Sequence, residues 1–244
     1  MTQHTAVPSD SLPLPQLAGS APDLLGELAR AALNYVKPGQ TVGLGSGRAA
    51  SAFIRAVAET GLDIRGVPTS SISAELAGSL NIRLVNLDQV GWLDADVDGA
   101  DEVDPRLDMV KGRGGALVRE KIVAAASRLR VFLIDDKKLV QNLGEHGNLP
   151  VEVIPFAVPL VLREIAKQGL VPRIRLNDRG HEFISDNGNL ILDCEVTAID
   201  SPARLESELR AVPGIVGTGL FLGIADVVLV ASSDGKITTL SRSR

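Results

Sequence analysis

The chain is short of cysteine, histidine and long apolar runs, and each shortage closes off a class of explanation. One cysteine, Cys194, rules out an intrachain disulfide framework. It lies in the apolar stretch LILDCEV, where a buried thiol packing as a small hydrophobe is expected. The three histidines, His4, His146 and His181, fall in a leading tail, a glycine-rich loop and a polar turn. No His, Cys and carboxylate spacing of a zinc site is present, so neither a metal nor any other cofactor is expected. The longest apolar runs, near Ile122–Ala126 and Ala225–Ala231, are too short to cross a bilayer. Lys and Arg number 25 against 30 acids, a net charge of -5, and they are scattered. Without a basic stripe, a nucleic-acid partner is disfavoured. The first 22 residues hold Pro8, Pro13, Pro15 and Pro22 among Ser and Thr. They lack the basic start and apolar core of a signal peptide, and read as a disordered tail on a cytoplasmic protein.

What is present is a foldable chain. It has 244 residues, 45% of them hydrophobic, enough for one large or two modest domains. Asp23 is placed to cap a helix from about Leu24 to Val36, with Leu28, Ala31, Ala32 and Tyr35 on one face. Thr41–Leu44 reads as a strand that runs into Gly45-Ser46-Gly47 and a helix from Arg48 to Thr60. Strand, small-residue turn, helix is a layout that cradles phosphate, although any tight strand-to-helix connection also wants glycine. Strands over Ile64–Val67, Ile82–Val85, Trp92–Val97 and Arg130–Asp135 alternate with helices beginning at Ser70/Ser71 and after Gly115. That alternation predicts a parallel sheet with crossover helices.

The rhythm changes after Asn148. Val151–Ile154, a helix over Pro159–Gln168, strands at Arg173–Leu176, Ile184–Asp186 and Leu190–Glu195, a helix from Ser201-Pro202 and a strand over Gly214–Thr218 follow. This order predicts a small ferredoxin-like α+β domain. The expected division is residues 23–148 with 217–244 as a Rossmann-like α/β domain, and 149–216 as the inserted unit.

The chemistry concentrates in Val97–Lys121, VDGADEVDPRLDMVKGRGGALVREK. Asp98, Asp101, Glu102, Asp104, Lys111 and Glu120 surround a Gly-Arg-Gly-Gly turn that enters a helix. Asp98 and Asp101 fall at the carboxyl end of a strand, where open α/β sheets bind ligands. Proton transfer beside a carbonyl needs a carboxylate base and a cation or N–H donors for the oxyanion. The same residues also fit an acidic loop, a glycine turn and an ordinary helix, with Glu120 paired on the surface to Lys121 or Arg119.

At these residues the chain resembles the ribose-5-phosphate isomerases of the A type. The resemblance runs from about Leu28 to Leu240 and is carried by AALNYVKPG, VGLGSG, VDGADEVD, MVKGRGGALVREKIVA, LPVEVIPFA, SDNGNLILD, VPGIVGTGLF and ADVVLV, in that order. It implies a Rossmann-like domain with an inserted small α+β domain, a sugar-phosphate substrate and an aldose–ketose isomerisation without a cofactor. It also implies a homodimer or homotetramer. By position it makes Glu120 the proton acceptor, and gives Asp98 and Asp101 the sugar hydroxyls and ring opening. Lys111 becomes the oxyanion cation, helped by the N–H groups of Gly112, Arg113 and Gly114. Lys138, Gly99 and Ala100 become substrate contacts, and Ser46, Gly47, Arg48 and Ala49 the phosphate loop.

Four departures stand out, one being Pro68-Thr69-Ser70-Ser71 in place of the family's Ser-rich second loop with an aspartate. The family's GTGST is Gly45-Ser46-Gly47-Arg48-Ala49 here, the glycine triplet after the lysine is Gly112-Arg113-Gly114, and Leu25-Gly26 replace a first-helix lysine. Arg48 or Arg113 can replace the lost phosphate contacts, because guanidinium binds phosphate bidentately. The rival expectations are an isomerase of another phosphorylated or acidic sugar, and a non-catalytic sugar-phosphate sensor on the same fold. A coenzyme A transferase is a weaker alternative, since no glutamate in the needed loop context is found.

Overall fold

Asp23 accepts a hydrogen bond from the Gly26 N–H at 3.0 Å and caps helix α1, Leu24–Leu33, whose Leu28, Ala29 and Ala32 are buried. The computed structural model describes residues 23–242, so the expected tail over 1–22 lies outside the described residues. Strand β1 is Thr41–Leu44 and helix α2 is Gly47–Thr60. Then come β2 (Arg65–Pro68), α3 (Ser71–Ser79), β3 (Arg83–Leu84) and β4 (Ala95–Gly99). Short β5 (Glu102–Val103) and β6 (Met109–Val110) lead to α4 (Leu117–Ala125) and β7 (Arg130–Asp135). The sequence β8 (Asn148–Val153), α5 (Val158–Lys167), β9 (Val171–Ile174), β10 (Leu190–Glu195), α6 (Pro202–Arg210) and β11 (Ile215–Thr218) follows. The chain closes with β12 (Leu220–Phe221), β13 (Val227–Ala231) and β14 (Ile237–Ser241).

These strands form a seven-stranded sheet of order β14-β13-β7-β4-β1-β2-β3. Every neighbouring pair is parallel except β13 with β14. The chain runs outward from β1 to β2 and β3, then returns to β1's other side with β4, β7 and β13. That reversal opens a crevice between the carboxyl ends of β1 and β4, the ligand position of doubly wound sheets. A second sheet, β11-β8-β10-β9, is wholly antiparallel and carries α5 and α6 in the expected β-α-β-β-α-β order.

Three local readings need correction. The strand expected over Trp92–Val97 is Ala95–Gly99, because pairing with β1 and β7 carries it on to Gly99. Asp98 is therefore inside a strand, and Trp92 is 63% exposed ahead of it. Ile184–Asp186 is no strand: beyond β9 the pairing there is reduced to isolated bridges at Leu176–Glu182 and Ile184–Leu190. A third sheet, β12-β6-β5, was not expected. Its strands are too short to leave a period-two pattern, yet β6 delivers Lys111 to the site.

Two apolar layers sandwich the large sheet. Leu28, Val42, Leu44, Phe53, Ile54 and Val97 belong to one, and Leu117, Phe132, Ile134, Phe221 and Val228 to the other. Cys194 is fully buried in a separate core with Val151, Ile165 and Leu209, and burial pushes its thiol up to about 12. Phe53 has no exposed surface. Phe53→Ala is expected to lower stability by about 3–5 kcal/mol, read in urea as a lower midpoint at unchanged slope.

Candidate active site

The crevice is built on a close approach of two strand ends. The Gly45 N–H donates to the Val97 carbonyl at 3.0 Å, and a Cβ on Gly45 would lie 2.6 Å from Asp98 Cα. Only glycine lets the turn after β1 press onto β4. Ser46 N–H then donates to Asp98 Oδ1 at 3.0 Å. The Ser46 hydroxyl does not cap α2. It lies 2.8 Å from both Thr69 Oγ1 and Ser70 Oγ in the loop after β2. The first-turn N–H groups of a 14-residue helix are thus left for an outside acceptor, the arrangement that favours an anion.

The charged centre lies beside this turn. Lys111 Nζ donates to Asp98 Oδ2 at 2.8 Å and to the Gly99 carbonyl, and sits 3.3 Å from Glu120 Oε2. All three side chains are at most 5% exposed. Asp98 is saturated, since its Oδ1 accepts from the N–H groups of Ser46 and Gly99 as well. Glu120 Oε2 has no hydrogen bond among the described residues. Burial and then the Asp98 charge push the Glu120 carboxyl up to about 8, against the pull of Lys111. Burial opposes the charge on Lys111, but Asp98 and Glu120 outweigh it and keep the ammonium protonated. The Phe132 and Phe221 rings, each 5.3 Å from Nζ, wall the lysine in.

The turn after Lys111 is held by its carbonyls. Arg175 donates to the Gly112 and Arg113 carbonyls at 3.0 and 2.9 Å and is paired with Asp193. The Arg113 N–H donates to Asp101 Oδ2 at 3.0 Å. The N–H groups of Gly112 and Gly114 have no acceptor among the described residues. Gly112 has φ +111°, a conformation that a side chain would strain. Lys138 Nζ donates to the Ala100 carbonyl at 2.5 Å, and burial lowers its pKa.

A cleft of about 320 Å³ joins these parts. Glu120, Asp101, Lys111, Ser46, Gly47, Arg48, Ala49, Gly99, Ala100, Gly112, Arg113, Gly114 and Lys138 all line it. Asp98 does not. It is 1% exposed beneath the floor, which takes it away from the expected contact with sugar hydroxyls. The alternative surface pairing of Glu120 is overturned: Lys121 turns to Glu206, and Arg119 to Asp186 and Asn187. Glu102 and Asp104 prove structural. Glu102 accepts from the Gly144 and His146 N–H groups, and Asp104 from those of Arg106 and Asp108. Arg48 and Arg113 are exposed at the rim and form no ion pair among the described residues. Leu25 lines the wall where the family places a lysine.

Sequence reasoning missed two contributors. Arg175 left no signal, because a loop-bracing arginine looks like any other. Asp96 had one: an acid two residues before Asp98 in a strand shares its face. It is 1% exposed with neither oxygen hydrogen-bonded among the described residues, and burial and then the Asp98 charge raise its pKa.

The family model for ribose 5-phosphate isomerase A (phosphoriboisomerase A) matches residues 65–235. The chain belongs to the ribose-5-phosphate isomerase A family. Ribose-5-phosphate isomerase A of Thermomicrobium roseum is 48% identical over 220 residues, 88% of this chain and 92% of that one. The Roseiflexus castenholzii protein of the same name is 45% identical over 212 residues, 85% of this chain and 91% of its own. The solved ribose 5-phosphate isomerase A of Methanocaldococcus jannaschii superposes with a TM-score of 0.84 at 41% identity, covering 90% of this chain and 98% of that one. A D-ribose-5-phosphate isomerase solved in complex with phospho-erythronic acid gives 0.87 at 36% identity, covering 92% and 100%.

The raised Glu120 carboxyl makes a stability prediction. The folded state holds this proton more tightly than the unfolded chain, so stability falls as pH rises from about 4.5 to about 8. Glu120→Gln lacks that slope. Its melting temperature is expected to exceed that of the parent by a margin that widens from pH 5 to 8 and then levels. A constant or shrinking margin would show that Glu120 is not held protonated.

Proposed function

We propose that this chain interconverts D-ribose 5-phosphate and D-ribulose 5-phosphate through an ene-diolate. The observation that carries the reading is the buried Lys111 between a saturated Asp98 and a Glu120 that lines the cleft. A carboxylate that carries a proton between C2 and C1 must both take and release it, and a raised pKa makes its ionised form a stronger base for the abstraction step. Glu120 is the base. Lys111 and the unpaired N–H groups of Gly112 and Gly114 receive the charge that develops on the substrate oxygen. Asp98 is assigned a holding role, fixing Lys111 and the turn at Ser46, while Asp101 and Lys138 reach the sugar hydroxyls. The first turn of α2 and Arg48 take the phosphate at the other end. The phospho-erythronic acid complex of the relative supports a phosphorylated, oxygen-rich ligand for such a cleft. This chemistry requires no metal or nicotinamide.

The placing of the chain in the non-oxidative pentose phosphate pathway, in the cytoplasm and in a homodimer or homotetramer belongs to the same proposal. Among the described residues no helix is long and apolar enough to cross a membrane. The two-unit division is kept, with its second boundary moved past β11, which straddles the expected break at 216/217.

Glu120→Gln is expected to lower kcat for ribose 5-phosphate by about two to four orders of magnitude with little change in affinity. Near-normal turnover would remove Glu120 as base, and failure of the parent protein to convert ribose 5-phosphate would overturn the substrate. Arg48→Ala is expected to raise KM by an amount equivalent to about 2–3 kcal/mol, the range for a hydrogen bond to a charged group. Arg113→Ala is the comparison. If Arg113 alone matters, the phosphate is held from the other rim.

A further inference from the structure

The turn Ser185–Asn189, SDNGN, is a recognisable motif that the chemistry above leaves unused. It is anchored on Glu152 of β8, which has no exposed surface. Glu152 Oε1 accepts from Ser185 Oγ at 2.9 Å, Asn187 Nδ2 at 3.0 Å and Asn189 Nδ2 at 2.9 Å. Three donors on one buried carboxylate oxygen hold the turn in a single shape.

Two arms leave it in different directions. The Asp186 carboxylate accepts from Ser71 N–H at 2.7 Å and Ser71 Oγ at 3.0 Å, at the first residue of α3. The preceding Ser70 hydroxyl is 2.8 Å from Ser46 Oγ, at the start of α2. On the other side Asn187 Oδ1 accepts from Arg119 Nε at 2.8 Å, and the Asp186 carbonyl from Arg119 Nη2 at 2.6 Å. Arg119 is the residue before Glu120 on α4, a nine-residue helix with no side-chain cap at its start. Neighbours on a helix point about 100° apart. A tether on Arg119 therefore fixes the rotation that aims Glu120 into the cleft.

We infer that this turn of the second domain positions the two ends of the active site through separate arms, Asp186 the anion end and Asn187 with Arg119 the base end. The inference rests on the isomerase reading, and it assigns Asp186, Asn187 and Arg119 as positioning residues. An anion at the start of α3 also favours that helix electrostatically. At the base end, a misplacement of about 1 Å is enough to cost two orders of magnitude in rate.

The test is a crossed one on the full chain. Asp186→Ala is expected to raise KM for ribose 5-phosphate about fivefold with kcat nearly unchanged. Asp186→Asn, which still offers an oxygen to the Ser71 N–H, should recover most of the loss. Arg119→Ala is expected to lower kcat by about 10- to 100-fold with KM nearly unchanged. Arg119→Lys should recover part of it. Inorganic phosphate binding, followed by calorimetry, should weaken in Asp186→Ala and stay as in the parent in Arg119→Ala. Both side chains lie at the surface of the fold, and urea midpoints control for general loosening. Equal changes in KM and kcat for both variants, or a lowered midpoint with parental kinetics, would overturn the inference. Should the parent prove inactive on ribose 5-phosphate, the isomerase reading fails by itself, and phosphate calorimetry alone decides the anion arm.

Discussion

One buried cation, Lys111, has to serve two buried carboxylates. Asp98 takes the hydrogen bond and Glu120 takes what remains, at 3.3 Å and without one. One positive and two negative groups buried together do not balance, and the surplus negative charge raises the pKa of Glu120. Asp98 accepts from three donors, so the imbalance falls on Glu120, which lines the cleft. The difference between the two acids, one with three donors and one without a hydrogen bond on its lysine-facing oxygen, follows from their partners and not from their residue types. It also costs stability, as strained or under-paired groups at functional sites do.

The strand order puts this centre at the sheet's reversal. β1 and β4 lie side by side but feed connections that run in opposite directions, so their carboxyl ends share a gap. Gly45 lets the first turn close on Asp98, and Asp98 in turn holds Ser46. The start of α2 and the Lys111 centre are thereby locked to one aspartate, which fixes the distance between the anion end and the reacting end of any ligand. The third sheet sets the remaining coordinate: β6 pairs with both β5 and β12, and Lys111 N–H donates to Gly219 O at 2.9 Å. Arg175, just after β9 of the second sheet, donates to two carbonyls of the turn after Lys111. The second sheet thus has a structural part in the site although none of the proposed reacting groups belongs to it.

The sequence by itself determined the architecture and pointed to most of the residues that line the cleft. Alternation of strand and helix signals is local and repeated, so the α/β class, the small β-α-β-β-α-β unit and the turns at Gly45 and Gly112 were all legible from spacing. The candidate region was legible too, because a dense run of acids, a lysine and glycines falls at a strand end, although the same run also fits an acidic loop and a glycine turn. Tertiary structure decided what each of them does. Asp98, Glu102 and Asp104 are alike in composition and adjacent in sequence, yet one holds the lysine and two hold loops. Asp96 and Arg175 were invisible or ambiguous for the same reason. Burial and hydrogen-bond partners arise from segments far apart in the chain, such as Gly144 for Glu102 and Asp193 for Arg175, and no local pattern encodes which segments will meet. Charge state depends on those partners, so the proton on Glu120 is a property of the folded molecule alone.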